Sequence, residues 1–242
     1  MINMLEIGID EAGRGPVIGP LVVCSVAIPH SDVKLLSDVG VKDSKDLSAD
    51  KRAEIQDWFF RQCKQRGWLY SIVSCDAKRV DNAVYGSGLN VLETELFAES
   101  VNDLNLKKDT NVNIICDACD VDAVRFTRRV SQLIDMWPWG NSQISSFHKA
   151  DENYPIVGMA SIIAKQARDA AIELIQQGVD YPIGSGYPSD KVTIEAVRMM
   201  IGEIPHDHLR WSWSTVKRIW DEKFDHEMPT RLVASGQQKK LF

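Results

Sequence analysis

The chain has 242 residues, 44% of them hydrophobic, and a formal net charge of −6. That suffices for one large domain, or one domain and a small module, around a buried core. It contains no apolar run of about 18 residues, which excludes an apolar membrane-spanning helix, and its acidity counts against a generic nucleic-acid binder.

Residues 4–10 and 20–28 read as two strands separated by a Gly/Pro-rich turn. Ser48 can cap a helix over 49–66, with Ile55, Trp58, Phe59 and Cys63 on one face and Gly67 as its stop. Residues 68–75 read as a third strand, and strands so close in sequence suggest an antiparallel meander. Leu89, Leu92, Leu96 and Phe97 mark an amphipathic helix over 88–104. The run VNIICD, 112–117, is a short buried strand ending in an acid. A helix (122–134), a short strand (143–147), a long apolar helix (156–177) and two further helices (190–202 and 214–223) follow. Opening strands followed by strand–helix alternation imply an α/β fold, a mixed sheet with helices on its faces.

Acids stand at the ends of these elements. Asp10 and Glu11 close the first apolar strand, and Asp117 closes VNIICD. Asp151 precedes Pro155 and suits the first turn of a helix, where the dipole favours a carboxylate. Asp120 and Glu152 are further candidates, one step off the pattern. Gathered carboxylates repel one another unless a cation joins them. Oxygen-only ligands suit Mg²⁺ or Mn²⁺, and two such ions about 4 Å apart support phosphodiester cleavage. A metal site also reverses the meaning of the negative charge, since the ions neutralise it locally. The alternative is that each acid is a solvated strand end or helix cap. Gly13 and Gly15 allow close backbone approach to a ligand, and Arg14 between them could hold a phosphate. The alternative there is a plain glycine turn with Arg14 in water. Lys149 and Lys165 could face a substrate, or simply be solvated.

The runs DEAGRG (10–15), DSK (43–45), ICDACD with Asp117, HKADENYPIVGMASIIAKQARD (148–169) and GSGYPSD (184–190), in that order, resemble ribonuclease HII, the type 2 ribonuclease H, in its archaeal form. The resemblance implies a ribonuclease H-like fold with a five-stranded mixed sheet, flanking helices and a C-terminal helical extension. The chain then divides into a catalytic core over 1–180, a helical region over 181–227 and a tail over 228–242, whose polar composition reads as mobile apart from its last two residues. The resemblance implies hydrolysis of the RNA strand of RNA–DNA hybrids. It also implies cleavage 5′ of ribonucleotides embedded in duplex DNA, leaving 3′-hydroxyl and 5′-phosphate ends. The family's metal-binding and catalytic acids fall on Asp10, Glu11, Asp117 and Asp151, holding Mg²⁺ or Mn²⁺. Its sugar-reading element falls on Gly13, Arg14 and Gly15, and its junction tyrosine on Tyr187. Only the 2′-hydroxyl distinguishes RNA from DNA at one nucleotide, and glycines expose backbone groups that can meet it. Ser44 and Lys45 would hold a phosphate as a hydroxyl donor and a point charge. One departure is Lys191, where the family often has proline; it touches a helix start and not the chemistry.

The chain ends GQQKKLF. Gln238, Leu241 and Phe242 look like a shortened peptide for a DNA sliding clamp, which would tether the enzyme to its substrate. Cys116 and Cys119 form a C-x-x-C around Asp117, which suggests a redox pair or half a zinc site. With no second C-x-x-C in the chain, plain small residues at a strand end is the preferred reading. Five scattered cysteines do not suggest a disulfide framework. With no signal peptide expected from the opening residues, a cytoplasmic protein, expected to be a monomer with no membrane partner, fits best. Two rival readings are a catalytically silent nucleic-acid-binding module of the same fold and a thiol redox or zinc protein.

Overall fold

The computed structural model describes residues 4–41 and 47–231. Five strands form one sheet in the order β3-β2-β1-β4-β5. They are β1 (Met4–Ala12), β2 (Leu21–Pro29), β3 (Leu69–Cys75), β4 (Asn111–Asp117) and β5 (Gln143–Phe147). β1 pairs antiparallel with β2 and parallel with β4, and β4 pairs parallel with β5. The sheet is therefore mixed, and five strands stand where the apolar runs predict them. The helices are α1 (Val33–Asp38), α2 (Ala49–Arg66), α3 (Ala77–Tyr85), α4 (Leu89–Asn102), α5 (Ala123–Leu133), α6 (Ala150–Asn153), α7 (Pro155–Gln177), α8 (Lys191–Met200) and α9 (Ser214–Lys223).

The capping chemistry works as expected at α2. The Ser48 hydroxyl accepts from Lys51 N at 3.2 Å, and Gly67 ends the helix at φ +71°. Three short helices, α1, α3 and α6, escape a reading based on apolar spacing. In α3 the inward face is Ala77, Val80 and Asp81, so the pattern contains a buried carboxylate where a hydrophobic residue would be counted. The Asp81 carboxylate accepts from Trp211 N, Ser212 N and the Ser212 hydroxyl, and pairs with Arg231.

The chain packs as two units. Among the described residues the first takes 4–12, 22–41, 47–74 and 93–167, and the second 13–21, 75–92 and 168–231. In the first, alternate residues of β2 (Val22, Cys24, Val26, Ile28) join Ile55 and Phe59 of α2 and Ile156–Ala164 of α7 in one core. The intervening face is covered by α4 and α5. The Ser25 hydroxyl donates to Ser100 O at 2.7 Å, and Phe97 meets Phe126 edge-on at 5.1 Å. Both sheet faces are thus covered, which is why β1 and β2 are continuous apolar runs. The second unit has its own core, in which Val17 and Ile18 pack with Ile172, Val197, Leu209, Trp211, Ile219 and Trp220.

Candidate active site

β1 runs two residues further than the 4–10 predicted, to Ala12, so Asp10 and Glu11 both lie within it. Successive side chains of a strand leave on opposite faces. Asp10 therefore shares its face with Gly8, whose Cα lies against the backbone of Ile156 in α7, and Glu11 points the other way, toward α4. The parallel register sets Ile9 beside Cys116, so one step on Asp10 reaches Asp117. Asp10, Glu11 and Asp117 each offer one carboxylate oxygen within 4.8 Å of the other two.

Asp151 stands in α6 and is almost fully buried. It is not a member of that threesome. It is tied to it through its neighbour: Ala150 N donates to Asp117 Oδ1 at 2.7 Å. The chain turns into α6 through Lys149, whose backbone is left-handed at φ +58°. Lys149 itself pairs with Glu152 at 3.8 Å on the surface. Asp120, the other off-pattern acid, is a structural residue. It is buried and bonded to Arg125, whose guanidinium holds its carboxyl below the ordinary range.

Burial pushes the Asp10 carboxyl well above its usual pKa, and the charges of Glu11 and Asp117 push it further. The Ser161 hydroxyl and the Glu11 amide pull the other way without prevailing; the amide donates to Asp10 Oδ1 at 2.8 Å. Glu11 Oε2 is buried and accepts no hydrogen bond among the described residues. A group of crowded carboxylates with such an oxygen is a fit for a hard divalent cation.

The structure adds Glu93, which the motif reading did not include, and places Cys119 of the C-x-x-C beside the acids. Glu93 and the Cys119 thiol each lie within 4.8 Å of Glu11, so Glu11 belongs to two potential ligand sets. Glu93 is fully buried in α4, on the face of Leu89, Leu96 and Phe97. A glutamate at an apolar position of that helix was the available signal. Both thiols of the C-x-x-C are pushed away from ionisation. Burial lifts Cys116 to about 12, and Cys119 is raised well above its usual value by burial and by the charges of Glu11 and Glu93. Neither has the lowered pKa of a reactive cysteine.

The Gly13-Arg14-Gly15 turn follows β1 directly and packs in the second unit. Gly13 has φ +89°, and a Cβ there would meet Pro20 O at 2.6 Å, so only glycine fits. Gly15 has no such strain; a Cβ there would touch only the Tyr187 ring, at 3.7 Å. The turn and Tyr187 are thus neighbours, joined also by Val17 N donating to Gly186 O at 2.8 Å. Tyr187 is partly exposed, and the Arg168 guanidinium lies 5.1 Å from its ring centre. Arg14 Nη2 donates to Asn90 Oδ1 at 2.8 Å, so the arginine is not simply solvated. The GSGY loop is shaped by Asp190, whose carboxylate accepts from Ser185 N, Val192 N and the Ser185 hydroxyl and is thereby held down to about 2. Ser44, Lys45, Gln238, Leu241 and Phe242 lie outside the described residues.

The family profile for Ribonuclease HII matches residues 7–216. The chain is 39% identical over 215 residues to Ribonuclease HII of Methanocella arvoryzae, covering 88% of this chain and 90% of that one. Against Ribonuclease HII of Pyrococcus furiosus it is 39% identical over 219 residues, 88% and 89% of the two chains. Among solved structures it resembles the ribonuclease H2 of Pyrococcus horikoshii, with TM-score 0.77, 34% identity and 90% and 98% of the chains covered. It also resembles a chain of the PCNA:RNase HII complex from Archaeoglobus fulgidus, with TM-score 0.74, 34% identity and 88% and 96% covered. The acid-bearing mixed sheet and these likenesses over nine-tenths of its length agree: the chain belongs to the ribonuclease HII family, archaeal in type, and is a metal-dependent endoribonuclease acting on RNA–DNA hybrids.

Proposed function

We propose that Asp10, Glu11, Asp117 and Asp151 hold Mg²⁺ or Mn²⁺ for cleavage 5′ of a ribonucleotide, in hybrids and in duplex DNA carrying a single ribonucleotide. The observation that carries this reading is the packing of three carboxylates within 4.8 Å, with Asp10 buried among them. When bound, divalent ions lower the pKa of water and offset charge on the departing 3′-oxygen. The protein's own contributions are orientation and selection. Ala150 N fixes the rotamer of Asp117, and the Glu11 amide fixes that of Asp10. Gly15 leaves a side-chain-free edge beside the Tyr187 ring, where a sugar can stack while backbone amides meet its 2′-hydroxyl. Ser44 and Lys45 are assigned to a neighbouring phosphate. An end-labelled DNA duplex with one ribonucleotide, incubated with Mg²⁺ and separately with Mn²⁺, gives a single cut on the 5′ side. Failure to cut with either ion, by folded protein that still binds the duplex, contradicts the reading.

Gln238, Leu241 and Phe242 are assigned to a DNA sliding clamp, with the Archaeoglobus relative's PCNA complex as support. Deleting 238–242 abolishes capture of the protein by immobilised clamp and leaves cleavage of short duplexes unchanged. Undiminished capture excludes the assignment. A cytoplasmic location is proposed on the cysteine content alone.

A further inference from the structure

Arg210 belongs to the segment LRWSW, 209–213, which has no part in the chemistry assigned so far. Its side chain is fully buried. Its guanidinium donates from Nη2 to Gly13 O at 2.5 Å, from Nη1 to Arg14 O at 2.8 Å and from Nε to Gly19 O at 3.2 Å. The same guanidinium lies 4.9 Å from the ring centre of Trp213, and Trp213 Nε1 donates to Gly15 O at 3.1 Å. One arginine and the tryptophan it stacks on therefore hold all three carbonyls of the Gly13-Arg14-Gly15 turn. The anchor is itself held, because the amides of Trp211 and Ser212 both donate to the buried Asp81 carboxylate, at 3.0 and 2.9 Å.

The peptide plane gives this grip a consequence. In a trans peptide the C=O and the next N–H point in opposite directions. With the Gly13 and Arg14 carbonyls turned onto the guanidinium, the Arg14 and Gly15 amides must point away from it. Those amides belong to the turn that a ribose would meet, beside Tyr187. The arrangement is expensive for a merely structural turn. Among the described residues no carboxylate pairs with Arg210, and burial lowers its pKa to about 10. Neutral donors close most turns at less cost. A planar fork that fixes two adjacent carbonyls in set directions is what guanidinium supplies and an ammonium does not.

We propose that Arg210 is a positioning residue that aims the Arg14 and Gly15 amides at the 2′-hydroxyl and so sets discrimination between ribose and deoxyribose. This rests on the assignment of the Gly13–Gly15 turn to the sugar.

The test uses the full chain as wild type, Arg210→Lys, Arg210→Met and Gly15→Ala. Fluorescence anisotropy, with Ca²⁺ in place of Mg²⁺, gives Kd for two duplexes of one sequence, one all DNA and one carrying a single ribonucleotide. The readout is the ratio of the two. In both Arg210 variants the preference for the ribonucleotide falls to near one while all-DNA affinity is kept, and kcat on the ribonucleotide duplex with Mg²⁺ falls roughly 10²-fold, as for a misplaced contact. Partial unfolding would weaken both duplexes together and leave the ratio unmoved. Should Arg210→Met not fold, the lysine variant decides, since it retains the charge and loses only the fork. Gly15→Ala, which the fold accepts, separates the two layers of the argument. A wild-type ratio in Gly15→Ala means the turn does not read the sugar, and the proposal falls with that assignment. A lost ratio in Gly15→Ala with wild-type ratios in the Arg210 variants means the turn reads the sugar without Arg210, and the proposal alone is overturned.

Discussion

Asp10→Asn loses divalent-dependent cleavage by on the order of 10³-fold in kcat and gains thermal stability in the absence of metal. The two effects share one cause. Asp10 is buried beside Glu11 and Asp117, and its folded-state pKa lies above its unfolded value. The folded state therefore holds this proton more tightly than the unfolded state. The contribution of Asp10 to stability is fully present below the ordinary carboxylate range and is lost as pH rises through the raised folded value. In EDTA, the wild-type Tm declines over that window and that of Asp10→Asn declines less. Adding Mg²⁺ or Mn²⁺ above the window raises the wild-type Tm, because the ion binds only the folded site. The asparagine variant responds weakly, having lost a ligand. Thermal scans with and without EDTA, paired with the ribonucleotide-duplex assay, check both halves. Wild-type cleavage by Asp10→Asn would remove Asp10 from the metal site.

Gly8→Ala costs about 3 kcal/mol or more, at the upper end of overpacking penalties. A Cβ at Gly8 would lie 2.4 Å from the carbonyl carbon and oxygen of Ile156 and 2.6 Å from Val157 N. These are backbone atoms at the start of α7, so no side chain can turn aside. Either β1 or the helix must shift. Because Gly8 and Asp10 share one face of β1, the shift also displaces Asp10 relative to Asp151 and Ser161. Urea unfolding measures the stability, and kcat on the ribonucleotide duplex measures the displacement. A variant with unchanged midpoint and rate would show that α7 does not bear on β1 so closely.

Much of this protein was legible before folding was considered. The five strands and the long helices follow from apolar periodicity, because burying one helix stripe or both faces of a sheet demands it. Ser48 and Gly67 mark the ends of α2 because backbone groups at helix termini need partners. The family follows from the order of short motifs, each weak alone. Other features depend on contacts between distant residues. No local pattern shows that a parallel register would put Asp10 beside Asp117, that Glu93 would come within reach of Glu11, or that Asp120 would be spent on Arg125. Helix α3 was hidden because its buried face includes Asp81, whose burial depends on Trp211, Ser212 and Arg231, more than a hundred residues away. The Gly13–Gly15 turn was readable as a loop that lets a backbone come close. Which way its amides point was decided by Arg210, nearly two hundred residues on. Sequence determines the local preferences and the chemical inventory; only the tertiary structure decides which charges share a site, since their pKa values and partners are set by distance and burial.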